Sequence, residues 1–343
     1  MARVLVAALV AMIISILAGP AFIDFLRRHE FGQHIREDGP EHHQAKQGTP
    51  TAGGLLIVFA AAIAFLATSD YTLPALAVFG TAIACGAIGF LDDFFKLRHR
   101  RSLGLNARWK MLLLLGIAAA VGIAAHHQHL SHKIFIPIVD RSLPLGWGFY
   151  VLVFFIIAGA ANSVNLTDGI DGLAAGTAII ALFTLTAMAV TIYIRQVDSH
   201  GHRITNRLDA AYIGAALIGA AVGFLWFNAF PAEVFMGDTG SMALGGAIGA
   251  MAIFLQVEFL LLLVGGIFVI EAVSVMLQVF SFKYWGRRVF LMAPLHHHFE
   301  MKAWAETKIM VRFWIVTGIL CAAGFALFYK YYPQIRPTQI RKP

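Results

Sequence analysis

The run LPALAVFGTAIACGAIGFLDDFFK, residues 73–96, determines the fold class of this chain and raises the question of its function. Its apolar part is long enough to cross a bilayer, because a transmembrane helix needs about 20 mostly apolar residues. Asp92 and Asp93 then place two adjacent carboxylates at or near the depth of the lipid. A charge at that depth costs about 3 kcal/mol even on the mildest scale. A chain that keeps two acids there is expected to use them.

The composition of the whole chain predicts an integral membrane protein. Of its 343 residues, 59% are hydrophobic and 13% are charged, whereas a soluble domain is about 25% charged. The mean hydropathy of +0.74 excludes a soluble protein with a large core. The net charge of +7 therefore concerns topology and anionic membrane lipids, and no nucleic acid partner is expected. Cys85 and Cys321 both lie in apolar runs, so a disulfide framework is not expected.

Ten apolar stretches predict an all-α protein that forms a single polytopic membrane domain over residues 1–343. No stretch resembles a soluble domain, a linker or a repeat array. The weakest break between spans is QVE at 256–258, and its loss would invert the orientation of everything that follows. The predicted spans are 4–26, 53–69, 73–93, 109–126, 148–163, 172–194, 210–229, 240–256, 259–281 and 311–331.

The distribution of Lys and Arg predicts that both termini lie outside, in the periplasm of a bacterium. Cytoplasmic loops carry an excess of these residues, and the bias favours this orientation over its inverse. The loops that would then lie inside are 27–52, 94–108, 164–171, 230–239 and 282–310.

Every unusual polar motif falls at or beside one of these inside loops, whereas the outside loops are merely polar. This convergence predicts a site at the cytoplasmic surface of the membrane. The five motifs are KQGTPTAGG (46–54), LDDFFK (91–96), NSVNLTDGIDG (162–172), FMGDTGS (235–241) and APLHHHFE (293–300).

Asp92, Asp93 and Asp238 are the candidate metal ligands. Adjacent residues of a helix diverge by about 100°, so Asp92 and Asp93 need not share one partner. The alternative for this pair is a span that has ended, with solvated carboxylates beside Lys96. Asp238 precedes a predicted helix, where it could bind a metal or serve only as the N-cap. Mg²⁺ suits such a site, because it binds through one or two carboxylates together with phosphate oxygens.

Two further motifs offer polar groups for a substrate. Asn165, Asp168 and Asp171 recur at a spacing of three and would share one face of a helix. They could bind ribose, the edge of a base or a metal, or they could simply form turns. Residues 296–298 are three consecutive His, which rarely all reach one ion. Phosphate contact or proton transfer suits imidazole at neutral pH, and a solvated loop is the alternative.

The loop KQGTPTAGG and the span 259–281 contribute weaker signals. Lys46 and Thr51 lie among glycines in a loop that lacks the Walker A spacing but suits a phosphate or a sugar. Glu271 lies in the middle of a span, where an ionisable residue is a functional hypothesis by default. Its alternative is a structural hydrogen bond to a neighbouring helix. Gln278, seven residues further on, shares the same helical face.

The five motifs, in this order and with ten spans, resemble the polyprenyl-phosphate N-acetylhexosamine-1-phosphate transferase superfamily from end to end. The three His of PLHHHFE point to its muramoyl-pentapeptide branch. The resemblance implies a Mg²⁺-dependent enzyme that transfers phospho-N-acetylmuramoyl-pentapeptide from UDP-MurNAc-pentapeptide to undecaprenyl phosphate. The products would be lipid I and UMP, in the first membrane step of peptidoglycan synthesis. The resemblance also implies a location in the bacterial inner membrane, a homodimer and inhibition by nucleoside antibiotics.

Residue roles follow from the same resemblance. Asp92 would be the base that acts on the acceptor phosphate, supported by Asp93, and Asp238 would bind magnesium. Because a phosphate monoester is already mostly dianionic at neutral pH, Asp92 could act mainly in positioning. A covalent role for Asp238 is less favoured, because metal binding weakens a nucleophile. Phe235 would stack on uracil, and His297 would be a further catalytic residue. The remaining substrate-binding candidates are Lys46, Thr51, Asn162, Asn165, Asp168, Asp171, Asn228, Gln278, His296 and His298.

Three alternatives stay open at this point. A sibling enzyme would transfer GlcNAc-1-phosphate to the same lipid, and donor preference would distinguish it. A secondary transporter would place polar groups near the midplane and show related halves, whereas here the polar groups lie on one face. A purely structural membrane protein would not need five carboxylate- or glycine-bearing motifs on one side.

Overall fold

Helices make up most of the structure, which is a computed structural model that describes residues 1–29, 48–99, 104–195 and 206–335. One short antiparallel hairpin interrupts them, with Lys133 opposite Pro144 and Ile136 opposite Arg141. The sequence did not predict these strands. The elements are α1 (Ala2–Arg28), α2 (Gly54–Thr68), α3 (Leu73–His99), α4 (Ala107–His127), β1 (Lys133–Ile136), β2 (Arg141–Pro144), α5 (Gly148–Thr167), α6 (Leu173–Arg195), α7 (Asn206–Asn228), α8 (Gly237–Leu255), α9 (Leu261–Val264), α10 (Gly266–Trp285), α11 (Leu295–Glu300) and α12 (Glu306–Ile335).

The prediction of an all-α integral membrane protein is confirmed, because each predicted span is largely helical. The predicted span 259–281 is divided, however, into α9 and α10 at Gly265. Within the described ranges, nine helices are long and apolar enough to cross a membrane. The tenth predicted span is α2, an apolar helix of 15 residues. The predicted break at 256–258 is also present, because α8 ends at Leu255 and Gln256 adopts a left-handed conformation with φ 56°.

Helix α8 lies at the centre of the bundle. Every one of its residues from Thr239 to Leu255 is buried, and it packs between α3 and α5. Its small residues permit this, since Gly245 meets the backbone of Ala160 and Gly246 meets Cys85. Small residues at helix contacts are typical of membrane proteins, where packing rather than the hydrophobic effect drives helix association.

The end of the bundle that holds the N-terminus is tied together by a buried carboxylate. Asp209 Oδ1 accepts hydrogen bonds from Ser69 Oγ at 2.8 Å and from the Asp70 N–H at 3.0 Å. Its Oδ2 accepts from the N–H and the hydroxyl of Thr72, both at 2.7 Å. Arg3 forms an ion pair with Asp70 at 2.8 Å. The α2–α3 loop, the start of α7 and the N-terminus therefore meet at one end.

The contact between Gly54 of α2 and Gly240 of α8 yields a prediction about packing. A Cβ at Gly54 would lie 2.0 Å from the Gly240 nitrogen. Gly54→Ala should therefore push the two helices apart and lower the free energy of unfolding by about 1–3 kcal/mol. Thermal unfolding in detergent measures this change. Gly116→Ala in α4 is the control, because a Cβ there meets nothing within 4 Å. Equal stability of the two variants would contradict the prediction.

Candidate active site

Asp93 joins the C-terminal part of α3 to the first turn of α8. Its Oδ1 accepts a hydrogen bond from the Asp238 N–H at 3.1 Å. Its Oδ2 accepts from the Thr239 N–H at 3.0 Å and from the Thr239 hydroxyl at 2.8 Å. The first N–H groups of a helix lack partners within the helix and carry partial positive charge. Asp93 satisfies them, so Asp238 is not the N-cap that the sequence offered as an alternative. It lies inside the first turn, after Met236.

Asp92 points to a different set of partners. Its Oδ1 accepts a hydrogen bond from the Leu105 N–H at 2.7 Å, and its Oδ2 lies 2.7 Å from Lys96 Nζ. Because α3 continues to His99, Asp92 and Asp93 lie inside the helix and diverge as adjacent helical residues do. The two carboxylates therefore perform separate tasks.

Two lysines neutralise Asp92 and Asp238. Lys96 Nζ, already bonded to Asp92, also lies 3.1 Å from Asp238 Oδ1. Lys110 Nζ in α4 lies 3.1 Å from Asp238 Oδ2. The sequence analysis noticed Lys96 only as a neighbour of Asp92 and did not identify Lys110. The available signal was that Lys110 and Arg108 are the two basic residues at the start of an otherwise apolar helix.

Of the three acids, Asp238 suits a magnesium ion best. Its Oδ1 lies 3.1 Å from Lys96 Nζ and its Oδ2 lies 3.1 Å from Lys110 Nζ, so each oxygen already holds a cation. Asp92 pairs with Lys96, and both oxygens of Asp93 hold the start of α8. In the described part of the chain, no three His, Cys, Asp or Glu side chains surround one metal position. One carboxylate is nevertheless enough for Mg²⁺ when phosphate and water complete its shell.

The motif NLTDGIDG does not place its polar residues on one helical face, as the sequence had suggested. Helix α5 ends at Thr167, so only Asn165 of the three is helical. Its Nδ2 donates to Ser241 Oγ of α8 at 3.0 Å. Asp168 and Asp171 lie in the turn that follows. The Asp-Gly pairs form this turn, which ends the helix before the spacing of three can continue.

The turn docks onto the segment that precedes and opens α8. Asp168 accepts a hydrogen bond from the Gly237 N–H. Asp171 is buried and its Oδ2 accepts from the Ala232 N–H at 3.1 Å. These bonds place Asp168 beside the acid cluster, whereas Asp171 braces the loop.

Asn228 and Asn162 use their side chains within the protein. Asn228 is buried, with its Oδ1 accepting from the Gly172 N–H at 3.1 Å and its Nδ2 donating to the Val234 carbonyl at 2.9 Å. It thereby links the α5–α6 turn to the α7–α8 loop. Asn162 donates to the Ala158 carbonyl of its own helix at 2.7 Å.

The loop that precedes α2 runs along the loop that precedes α8. The Phe235 N–H donates to the Pro50 carbonyl at 2.8 Å. Thr51 is buried there, and its hydroxyl lies beside Gly237, whose φ of 72° favours glycine. Phe235 is half-buried at this junction. Lys46 lies outside the described residues.

Glu271 organises the start of the His-rich helix α11. Its Oε2 accepts from the Leu295 N–H at 2.6 Å, and its Oε1 accepts from the His296 N–H at 3.2 Å. The same Oε1 lies 3.1 Å from His296 Nδ1, and both side chains are fully buried. His296 Nε2 packs against Gly169, where a Cβ would come within 2.3 Å. The His motif and the NLTDGIDG turn are therefore in contact.

The other two histidines have partners of their own. His297 Nδ1 forms a hydrogen bond with Glu300. His298 Nδ1 accepts from the Leu291 N–H at 3.1 Å. Desolvation and the charge of Lys302 lower the pKa of His298, which suits an unprotonated acceptor nitrogen. The expectation that three consecutive imidazoles do not reach one ion is consistent with these separate contacts.

Gln278 also acts on the connection between α10 and α11. Its Oε1 accepts from the N–H groups of Val289 and Phe290 at 3.0 and 2.9 Å, and its Nε2 donates to the Phe290 carbonyl at 3.0 Å. Glu271 holds the far end of the same connection. The structure thus makes both residues supports of the His motif.

The surroundings of Asp168 predict a pH-dependent stability. Desolvation and the charges of Asp238 and Asp93 raise the pKa of Asp168 to about 8, against about 3.9 in an unfolded chain. The folded state then binds a proton that the unfolded state has lost, so stability falls as the pH rises between these values. Asp168→Asn removes this penalty. Without metal or nucleotide, the variant should unfold at a higher temperature than the wild type, with a larger gap at pH 8.5 than at pH 6.

The matched control is Asp140→Asn, which removes an exposed carboxylate from the hairpin turn. Its difference from the wild type should not widen with pH. A gap for Asp168→Asn that stays constant between the two pH values would contradict the prediction.

Comparisons with known proteins identify the family of this chain. Residues 75–256 match the family described as glycosyl transferase family 4. This region includes both acids of LDDFFK, the NLTDGIDG turn and Asp238.

Several relatives match nearly the whole chain, and each bears the name phospho-N-acetylmuramoyl-pentapeptide-transferase. The protein from Frankia alni is 46% identical, over 96% of this chain and 98% of its own length. That from Rubrobacter xylanophilus is 45% identical over the same shares. That from Bacillus pumilus is 43% identical over 92% of this chain and 95% of its own length. At this identity and coverage, the chain belongs to the phospho-N-acetylmuramoyl-pentapeptide-transferase family.

Proposed function

We propose that this protein transfers phospho-N-acetylmuramoyl-pentapeptide from UDP-MurNAc-pentapeptide to undecaprenyl phosphate, releasing UMP and forming lipid I. The names of its relatives support this reaction. The observation that carries it is the pair of carboxylates, Asp92 and Asp238, that converge on the Lys96 ammonium at one end of a membrane bundle. Such a cluster can receive a cation and a diphosphate where a soluble donor meets a lipid acceptor.

The arrangement suits phosphoryl transfer, which needs positioning and charge neutralisation more than covalent chemistry. Bound Mg²⁺ would supply further neutralisation of the diphosphate and the leaving UMP, with Asp238 as its protein ligand. Lys96 and Lys110 provide two cations at the same place. Asp92 either accepts a proton from the acceptor phosphate or orients it. Asp93 acts through α8, by holding the backbone of Asp238.

The donor would bind along the two loops beside this cluster. Asn165 and Asp168 lie against the start of α8 and would face the nucleotide, and Phe235 would stack on uracil. Lys46 and Thr51 would contribute to the same pocket. The loop contacts of Asp171, Asn228 and Gln278 make them positioning residues. His296, His297 and His298 would lie near the diphosphate or the peptide.

The polyprenyl chain of the acceptor would occupy an apolar cavity of about 340 Å³ between α5, α9 and α10. Phe155 and Leu262, which line it, are 65% and 55% exposed, so the cavity opens toward lipid. Its lining extends to Ser163 and Val164, which precede Asn165 by less than one helical turn. The lining therefore ends close to Asn165, which bonds to Ser241 in the first turn of α8.

The location of the site follows from the nature of the donor. UDP-MurNAc-pentapeptide is water-soluble, so the acid cluster would face the cytoplasm from a multi-pass protein of the bacterial inner membrane. Lys96, Arg98, Arg108 and Lys110 lie at this end of the bundle, as the excess of positive charge on cytoplasmic loops requires. Both termini would then be periplasmic. A homodimer and inhibition by nucleoside antibiotics are further expectations for a member of this family.

The direct test is UMP release by the purified protein supplied with both substrates and Mg²⁺. The wild type should release UMP, and chelation of the metal should abolish release. Asp238→Ala should reduce the rate about 100-fold or more, because it removes the carboxylate that would hold Mg²⁺ at the reacting phosphates. Asp140→Ala, in the distant hairpin turn, should retain the wild-type rate.

Two results would contradict the proposal. Acceptance of UDP-GlcNAc in place of the muramoyl donor would indicate the sibling enzyme. Failure of folded wild-type protein with either donor would exclude a transferase and make an ion-coupled transporter the leading hypothesis.

The proposed acceptor cavity can be tested at Gly159, which lines it and whose added Cβ would meet nothing within 4 Å. Gly159→Leu should fill the cavity without a clash. The KM for undecaprenyl phosphate should rise about tenfold, whereas the KM for the UDP donor should stay unchanged. Gly318→Leu in α12, which is equally free of neighbours, is the control. An unchanged KM for the acceptor would exclude this cavity as the lipid site.

A further inference from the structure

Lys110 stands apart from the other charged residues of the cluster. It comes from α4, whereas Lys96 shares α3 with Asp92. The structure gives its ammonium one carboxylate partner, Asp238 Oδ2 at 3.1 Å. Lys96 instead contacts both Asp92 and Asp238, at 2.7 and 3.1 Å. Loss of the Asp238 contact would therefore leave Lys96 anchored and Lys110 free.

We propose that the Lys110 ammonium occupies the position of the divalent cation on Asp238 until the metal binds and displaces it. This inference rests on the proposed function, because it assumes that Asp238 binds Mg²⁺. The metal would bind through Oδ2, the oxygen that contacts Lys110, while Lys96 keeps its contacts with Asp92 and Asp238 Oδ1. In the exchange, the Asp238 carboxylate leaves an ammonium and binds a metal, and no covalent bond changes.

The charges of the cluster explain why an exchange is required. Asp92 and Asp238 carry two negative charges, and Lys96 and Lys110 carry two positive charges, so these four side chains are neutral together. Each oxygen of Asp238 already accepts an ammonium. A divalent cation that arrives at Asp238 without displacing a lysine would meet the repulsion of two ammonium groups, one on each oxygen of that carboxylate.

Burial determines what the released lysine does. The Lys110 side chain is only 14% exposed, and a largely buried ammonium needs a new anionic partner. The donor diphosphate is the anion that the proposed reaction brings to this place. Metal binding alone therefore leaves Lys110 without a counter-charge, and diphosphate binding provides one. Lys110 would thus make the binding of the metal and of a nucleoside diphosphate mutually favourable.

The test is a calorimetric titration of Mg²⁺ into the full chain in detergent, without nucleotide. Lys110→Met should bind the metal about tenfold more tightly than the wild type, because the competing charge is gone. Lys110→Arg keeps the charge and should bind it as the wild type does. Arg108→Met is the matched control, since it removes an equal charge from an exposed position two residues away on α4. It should change the affinity less than twofold.

A second measurement keeps the inference testable if Lys110→Met does not fold. Amine-reactive labelling of the wild type, read by mass spectrometry, should show that Mg²⁺ increases modification of Lys110, while exposed Lys283 is unaffected. Addition of UDP with Mg²⁺ should protect Lys110 again. The inference would be overturned if folded Lys110→Met bound the metal as weakly as the wild type or more weakly. It would also be overturned if Mg²⁺ did not change the labelling of Lys110. Neither readout uses the transfer reaction, so a failure of UMP release would be recognised separately.

Discussion

The bond between Asp93 and the first turn of α8 is the constraint on which the rest of the site depends. Helix α8 is buried along its length and contacts several neighbouring helices. A buried helix must find acceptors for its first N–H groups, and Asp93 supplies two oxygens for them. The same bond fixes the position of Asp238 relative to Asp92, the residue next to Asp93 in α3. One structural requirement of a buried helix therefore also positions the two acids of the proposed site.

The acids can lie at this depth because lysines from two helices balance them. A carboxylate near lipid is costly alone, and an ammonium within hydrogen-bond distance offsets much of that cost. Lys96 provides this from the same helix as Asp92, and Lys110 provides it from α4. The positive charges that stabilise the ligand-free protein are also charges that a diphosphate needs. Stability and function thus use the same four side chains.

Polar residues that are buried or half-buried support the loops around the cluster. Asn228, Glu271 and Gln278 each bond to the backbone of a neighbouring loop. Each bond satisfies polar groups that would otherwise be costly inside a membrane protein. Because these residues are committed to backbone partners, they keep the loops in place without depending on a ligand. Polar residues in spans are thus divided between those that brace the site and those that form it.

The sequence by itself determined the fold class, the ten helical spans, the break after α8 and the set of motifs that meet. Hydrophobic runs of bilayer length are a local property, so a single chain is enough to locate them. It also indicated that Asp92 and Asp93 diverge, since helix geometry requires this. It missed the β-hairpin, and it placed Asp168 and Asp171 on a helix that ends at Thr167.

Only the tertiary structure decided which partner each polar residue has. Asp93 was a candidate metal ligand on sequence grounds, yet its oxygens bond to α8, and Lys110 was not noticed although it reaches Asp238. Glu271 lies mid-span in the sequence, and the fold directs it to the start of α11. These pairings depend on the approach of helices that are far apart in the chain. Spacing along one helix cannot specify that approach, because the contacts between different helices determine it.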